Sequence, residues 1–284
     1  MGVALVCNTV SKSSTTGGTF ADTLTANSGD STTVANYDAP ATQAGAKIVE
    51  MWGMDSASVA ELALTYTRQQ SVNDQSRGVR FNIPATAGGS AGSVGSHNML
   101  PGLATIPLYK SDVGTFTVSS TAADAVLVSW NTLYDNLPGV QAVLASWDQV
   151  QALRWKTIGL ACNAVASGTK GAYGASRALN ADDTRLLANT WYAILGVTVQ
   201  TVVTSITFTG PDWGGQRIGL PAGVLTTDSS TYFLDQTLKW NIPLIPCFNS
   251  NNVGNINVQV ADDGTSTSPK IDFLMYGLTG KPGY

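Results

Sequence analysis

The chain offers sparse material for chemistry, and each candidate can be weighed by residue type and spacing. His97 is the only histidine of 284 residues, set between Ser96 and Asn98 at the end of a Gly/Ser-rich stretch. A Ser-His-Asp site needs the imidazole held between a nucleophilic hydroxyl and a supporting acid. The sequence has no G-x-S-x-G elbow to supply the nucleophile, so His97 reads as a solvated loop residue. Cys7, Cys162 and Cys247 lack CxxC spacing, and a zinc centre needs about four Cys, His or carboxylate ligands. They read as small buried apolar residues rather than ligands or a disulfide.

The acids give slightly more. Asp182-Asp183 and Asp262-Asp263-Gly264 could offer oxygen ligands to calcium, but neither follows the D-x-[DN]-x-[DN]-G pattern. The second group reads as the close of a hairpin between Val260 and Lys270. The first, with Asn180 before it, reads as the start of a short helix over Thr184–Ala188, or as an Asx-rich loop. Glycoside hydrolysis needs two carboxylates facing across a cleft, and nothing in the spacing of the nineteen acids marks such a pair. Gly210-Pro211-Asp212-Trp213-Gly214-Gly215 lies between two predicted strands, whereas a phosphate cradle opens onto a helix. It reads as a turn, with Trp213 as an exposed contact for a sugar or a neighbouring subunit. Trp52, Trp130, Trp147, Trp155, Trp191 and Trp240 sit in strand or helix patterns and read as core. The expectation is no catalytic residue, no cofactor and no metal.

Composition narrows the classes further. Net charge is −4, only 12% of residues are charged, and the basic residues are scattered. Binding to phosphates calls for a concentrated positive stripe, so no direct nucleic-acid binding is expected. Hydrophobic residues at 43% can build a core. Plentiful Thr, Ser and Val suit β-structure with polar, weakly charged faces, some of them covered by neighbouring subunits. No basic n-region with an apolar stretch is visible, and no run approaches the roughly 20 apolar residues of a membrane span. The reading is a soluble chain made in a reducing cytoplasm.

The elements that must position these residues recur. Leu5-Val6-Cys7-Asn8-Thr9-Val10 returns as Leu160-Ala161-Cys162-Asn163-Ala164-Val165. In the same order, Gly53 answers Gly196, Leu64–Thr67 answers Ile206–Thr209, and Gly78–Ala85 answers Gly215–Ala222. Ile106-Pro107-Leu108 answers Ile242-Pro243-Leu244, Val113-Gly114 answers Val253-Gly254, and Pro138-Gly139 answers Pro282-Gly283. Colinear order, with offsets that drift as loop insertions would make them, indicates two copies of one unit. Strands are predicted at Val3–Val10, Lys47–Trp52, Glu61–Arg68, Val79–Ile83, Thr105–Tyr109, Gly114–Ser119 and Ala125–Asn131. In the second copy they fall at Ile158–Val165, Tyr192–Val197, Val202–Thr209, Gln216–Leu220, Leu238–Ile245, Asn255–Val260 and Lys270–Tyr276. An eighth strand in each is placed near Met99–Leu100 and Tyr232–Leu234. Val140, Val143, Leu144, Trp147 and Val150 share one helical face, predicting a helix over about 140–155. The division is therefore 1–139, a helical connector 140–157, and 158–284.

Two all-β units of this size with long loops fit tandem jelly-roll β-sandwiches better than immunoglobulin-like sandwiches or propeller blades. Duplication, size and composition together make the chain resemble the double jelly-roll major capsid proteins of tailless icosahedral bacteriophages. That resemblance implies a structural protein of the virion, made in the host cytoplasm and without catalytic residues. It also implies a homotrimer that tiles as a pseudo-hexamer with neighbouring capsid trimers. Minor capsid or vertex proteins, and an internal membrane, are further partners it admits. Thr86–Ser96 and Leu225–Ser230 would be exposed or intersubunit loops. The alternative is a carbohydrate-binding or adhesive β-sandwich, such as a phage spike or lectin-like protein. A β-sandwich glycosidase or lyase stands last.

Overall fold

The computed structural model describes residues 2–14, 18–25, 46–55, 60–66, 79–83, 100, 103, 105–108, 113–120, 124–137, 142–168, 173–199, 203–215, 217–221, 230–262 and 268–283. Alternation of β-branched and polar residues in the first half yields eight strands among these. They are β1 (Gly2–Ser14), β2 (Gly18–Thr25), β3 (Ala46–Asp55), β4 (Ala60–Tyr66), β5 (Val79–Ile83), β6 (Ile106–Leu108), β7 (Val113–Ser120) and β8 (Asp124–Leu137). A two-residue strand β9 (Leu144–Ala145) and a helix α1 (Trp147–Leu153) follow. The second half contributes β10 (Arg154–Asn163), β11 (Arg177–Ala178), β12 (Trp191–Val199), β13 (Val203–Thr209) and β14 (Ile218–Pro221). After a helix α2 (Tyr232–Trp240) come β15 (Ile245–Asn249), β16 (Asn257–Asp262) and β17 (Lys270–Leu278).

The fold is all-β, built from antiparallel sheets. The first half forms sheets ordered β1-β8-β3-β6 and β2-β7-β4-β5. The second forms β10-β17-β12-β15, extended by β9, and β11-β16-β13-β14. Counting the strands of each half from one to eight, both halves give the orders 1-8-3-6 and 2-7-4-5. Even an irregularity repeats. Ile48 pairs with Thr132 and Glu50 with Asn131, leaving Val49 as an extra residue in β3. Ile194 pairs with Met275 and Gly196 with Leu274, leaving Leu195 as its counterpart in β12. Each such bulge turns the residues after it to the opposite face of the sheet. This register aligns Gly196 with Glu50, three residues away from the Gly53 match read in the sequence.

The core of the second half is aromatic. Phe208 on β13 meets Trp213, Phe233 and Phe273 edge-on at centroid separations of 5.2, 5.7 and 5.9 Å, the geometry that ring quadrupoles favour. Strand β17 alternates, with Ile271, Phe273 and Met275 buried.

Several sequence expectations need correction. Tyr232–Leu234 and the start of Leu238–Ile245 are helical, not strands. A short apolar run does not reveal its period, and here Tyr232, Phe233, Gln236 and Thr237 form the buried face of α2. The eighth strands are instead β2 and β11, matched positions in the two halves, and Leu100 lies outside any strand. The connector helix starts later than predicted because Leu144 and Ala145 pair with Pro246 and Ile245. Ser146 then caps α1: its Oγ accepts from the Gln149 backbone N–H at 3.3 Å, while its own N–H donates to Gln149 Oε1 at 3.0 Å. Val260 and Lys270 do not flank a hairpin, since β16 and β17 lie in different sheets. Asn180–Ala188 is an Asx-rich loop rather than a helix.

Candidate functional site

The bulge at Val49 has a chemical consequence. It leaves Ile48, Val49, Glu50 and Met51 all buried in succession, so a carboxylate enters the interior from the face of β3 opposite to Ile48. Asn131, its partner across the ladder, shares that face. Both meet side chains of the second half. Gln236 Nε2 donates to Glu50 Oε1 at 2.9 Å, and Trp240 Nε1 donates to Gln236 Oε1 at 2.9 Å. The Tyr232 hydroxyl donates to Glu50 Oε2 and accepts from Asn131 Nδ2 at 2.5 Å. Asn131 Nδ2 also approaches the Gly219 carbonyl of β14 at 3.4 Å. Residues from β3, β8, β14 and α2 thus close one polar cluster around a single carboxylate.

Burial pushes the Glu50 carboxyl above the usual carboxylate range, because its charge is desolvated. The donations from Tyr232 and Gln236, and the positive charge of Lys239, oppose that rise. Lys47 and Lys239 both sit over the Trp240 ring, at 5.5 and 5.0 Å from its centroid. The arrangement fixes β3 and β8 of the first half against α2 of the second. A buried carboxyl with a donor on each oxygen leaves those polar groups satisfied in this arrangement, and withdrawing either partner would leave a buried polar group unpaired.

A second polar cluster guards a sheet edge. Among the described residues, strand β10 has a ladder partner on one side only. On its open side the Asn163 N–H donates to Asp182 Oδ2 at 2.8 Å, and Arg185 Nη2 donates to the Gly159 carbonyl at 2.8 Å. The Ala161 N–H reaches Asp183 Oδ2 at 3.5 Å. Arg177 grips Asp182 and Arg185 grips Asp183, each at 2.5 Å. The Arg185 guanidinium holds the Asp183 carboxyl down to about 2, and Arg177 likewise lowers Asp182. These two acids, read as candidate calcium ligands, are committed to arginines and backbone. Among the described residues no group of three or more His, Cys, Asp or Glu side chains could hold a metal.

Other sequence candidates find their places. Trp213 is fully buried, its Nε1 donating to the Cys247 carbonyl at 3.0 Å, so it is no surface contact. Its loop is a turn, as its Gly-Pro start suggests. Trp155, read as core, is instead 50% exposed. Cys162 and Cys247 are buried free thiols. Burial, with Asp182 nearby, pushes the Cys162 thiol up to about 11, which removes thiolate reactivity. His97, Asp263, Gly264, the Thr86–Ser96 loop, Leu225–Ser229 and the side chains of Cys7 and Trp52 lie outside the described residues. The Glu50 cluster was not foreseen. The signal for it was a lone acid inside the apolar run Ile48-Val49-Glu50-Met51-Trp52. No protein-family model matches the chain, and no curated protein matches it.

Proposed function

We propose that the chain is a shell-building protein: a double jelly-roll major capsid protein that assembles as pseudo-hexameric trimers into an icosahedral virion. The observation supporting this reading is the repeated strand order, 1-8-3-6 and 2-7-4-5 in each half, an order that two eight-stranded jelly rolls would give. Two alike sandwiches in one chain give a trimer six similar edges, so that one subunit can satisfy quasi-equivalent neighbours. The Glu50 cluster fits this role. A tile must present both of its sandwiches at a fixed angle, and the cluster supplies that constraint within the chain. The sugar-binding alternative loses Trp213, the aromatic on which it leaned, to the core. The reading is tested by light scattering of the purified chain, followed by electron microscopy of the same sample. Trimers or regular larger assemblies support it. A monomer at high concentration refutes it.

A further inference from the structure

Strand β10 does not alternate along its first residues. Arg154, Trp155, Lys156 and Thr157 are all exposed, and a period of two begins only at Ile158, which is buried, with Gly159 exposed and Leu160 buried again. A regular strand sends successive side chains to opposite faces. Here the ladder with β17 slips: Arg154 pairs with Leu278 and Lys156 with Gly277, leaving Trp155 as the extra residue. Such a bulge re-aims side chains. Four successive residues, together with Tyr276, come to line one shallow open pocket of about 240 Å³.

The pocket is shaped by its neighbours. Trp155 is 50% exposed, and its indole rests against Gly277. A Cβ at Gly277 would stand 3.3 Å from Trp155 Nε1 and 3.4 Å from Cε2, so the bare glycine lets the ring lie along β17. Arg154 is held by two other rings. Its guanidinium carbon lies 5.6 Å from the centroid of Trp147 on α1 and 5.5 Å from that of Tyr276. Contact with ring faces steadies the planar fork without neutralising it. Among the described residues neither Arg154 nor Lys156 forms an ion pair. Two uncompensated positive charges thus stand beside an exposed flat ring, in a chain whose net charge is −4.

We infer that this pocket binds an acidic saccharide unit, a pyranose ring carrying a carboxylate. The C–H face of a pyranose stacks on an exposed indole, an apolar body with a polar edge. The carboxylate meets the Arg154 fork, which matches it in plane and spacing, with Lys156 as a second, point-like charge. The Thr157 hydroxyl can both donate to and accept from sugar hydroxyls. The volume lies below the roughly 300–1,000 Å³ of sites for drug-sized molecules and suits one sugar ring. A phosphate polymer would call for a longer positive stripe than two cations make. The site is separate from the Trp213 loop, and it does not rest on the shell-building reading.

The test is saturation-transfer difference NMR on the full wild-type chain with methyl β-glucuronide, and with methyl β-glucoside as the neutral control. Trp155→Ala and Lys156→Gln alter exposed side chains, and far-UV circular dichroism checks that each variant folds. The expected result is saturable glucuronide binding with transfer to its ring C–H protons. The glucoside should bind about tenfold more weakly, the scale of one charge-assisted hydrogen bond. Lys156→Gln should narrow that preference by weakening the glucuronide alone, and Trp155→Ala should abolish transfer to both sugars. Absence of saturable binding by the wild type, or full binding by folded Trp155→Ala, would overturn the inference. An unchanged preference in Lys156→Gln would overturn it too, and decides alone if Trp155→Ala does not fold. So would displacement of the glucuronide by an equal concentration of inorganic phosphate, or by vesicles containing phosphatidylglycerol, since either would mark a site for anions without regard to the sugar.

Discussion

Glu50 is a carboxyl buried among donors from both halves of the chain. Because burial raises its pKa, the folded chain holds this proton at a pH where the unfolded chain has released it. Its contribution to stability is complete below the ordinary carboxylate value of 4.5 and declines as pH rises through the raised value. Glu50→Gln should therefore flatten the thermal-stability profile above that point, and melting curves across pH for the two proteins check it. Equal slopes would mean that Glu50 is not desolvated as described. Glu50→Ala leaves Tyr232 and Gln236 donating into a cavity and should cost about 3 kcal/mol in denaturant unfolding. Asp183 behaves oppositely. Its lowered pKa contributes stability above the ordinary value of 3.8 that is lost as pH falls toward about 2. Asp183→Asn should weaken acid resistance in that window, read as an upward shift of the acid-unfolding midpoint.

At the scale of elements, Ser146 and the 182–185 loop make separable predictions. Ser146→Ala removes the hydroxyl half of a capping box, the acceptor for the Gln149 N–H, and should lower stability by about 1 kcal/mol in urea titration. The paired change Asp182→Asn with Asp183→Asn should loosen the cover over the β10 edge. An uncovered edge strand invites pairing with other chains, so light scattering should show faster growth of irregular aggregates at unchanged secondary structure. Strands were legible where alternation is strong: Val79–Ile83 coincides with β5, and Lys270–Tyr276 lies within β17. Strand β11 escaped because its two residues, Arg177 and Ala178, carry no period. Helix α2 escaped because its buried positions mix Gln236 and Thr237 with aromatics. Those polar residues are committed elsewhere, Gln236 to Glu50 and the Thr237 hydroxyl to the Leu244 N–H at 3.2 Å. The Glu50 cluster draws residues 182 and 186 positions apart in sequence, a juxtaposition that only the folded chain makes visible. Trp155 was misread because it is the extra residue where β10 slips against β17, and a bulge is invisible to a period-two pattern.

For the whole molecule, a recurring order of elements was legible, as the strand orders repeat, and its register was not. Colinear matches such as Cys7 with Cys162 carried the order of elements, while the bulges at Val49 and Leu195 moved the true correspondence by three residues. Two halves with the same strand orders meet at one buried carboxyl cluster. If such chains build a shell they must assemble, and the solution mass of the purified chain by multi-angle light scattering decides it. Three times the chain mass of 29.6 kDa, or regular particles built from that unit, is the predicted result. A single-chain mass that persists as concentration rises would contradict it.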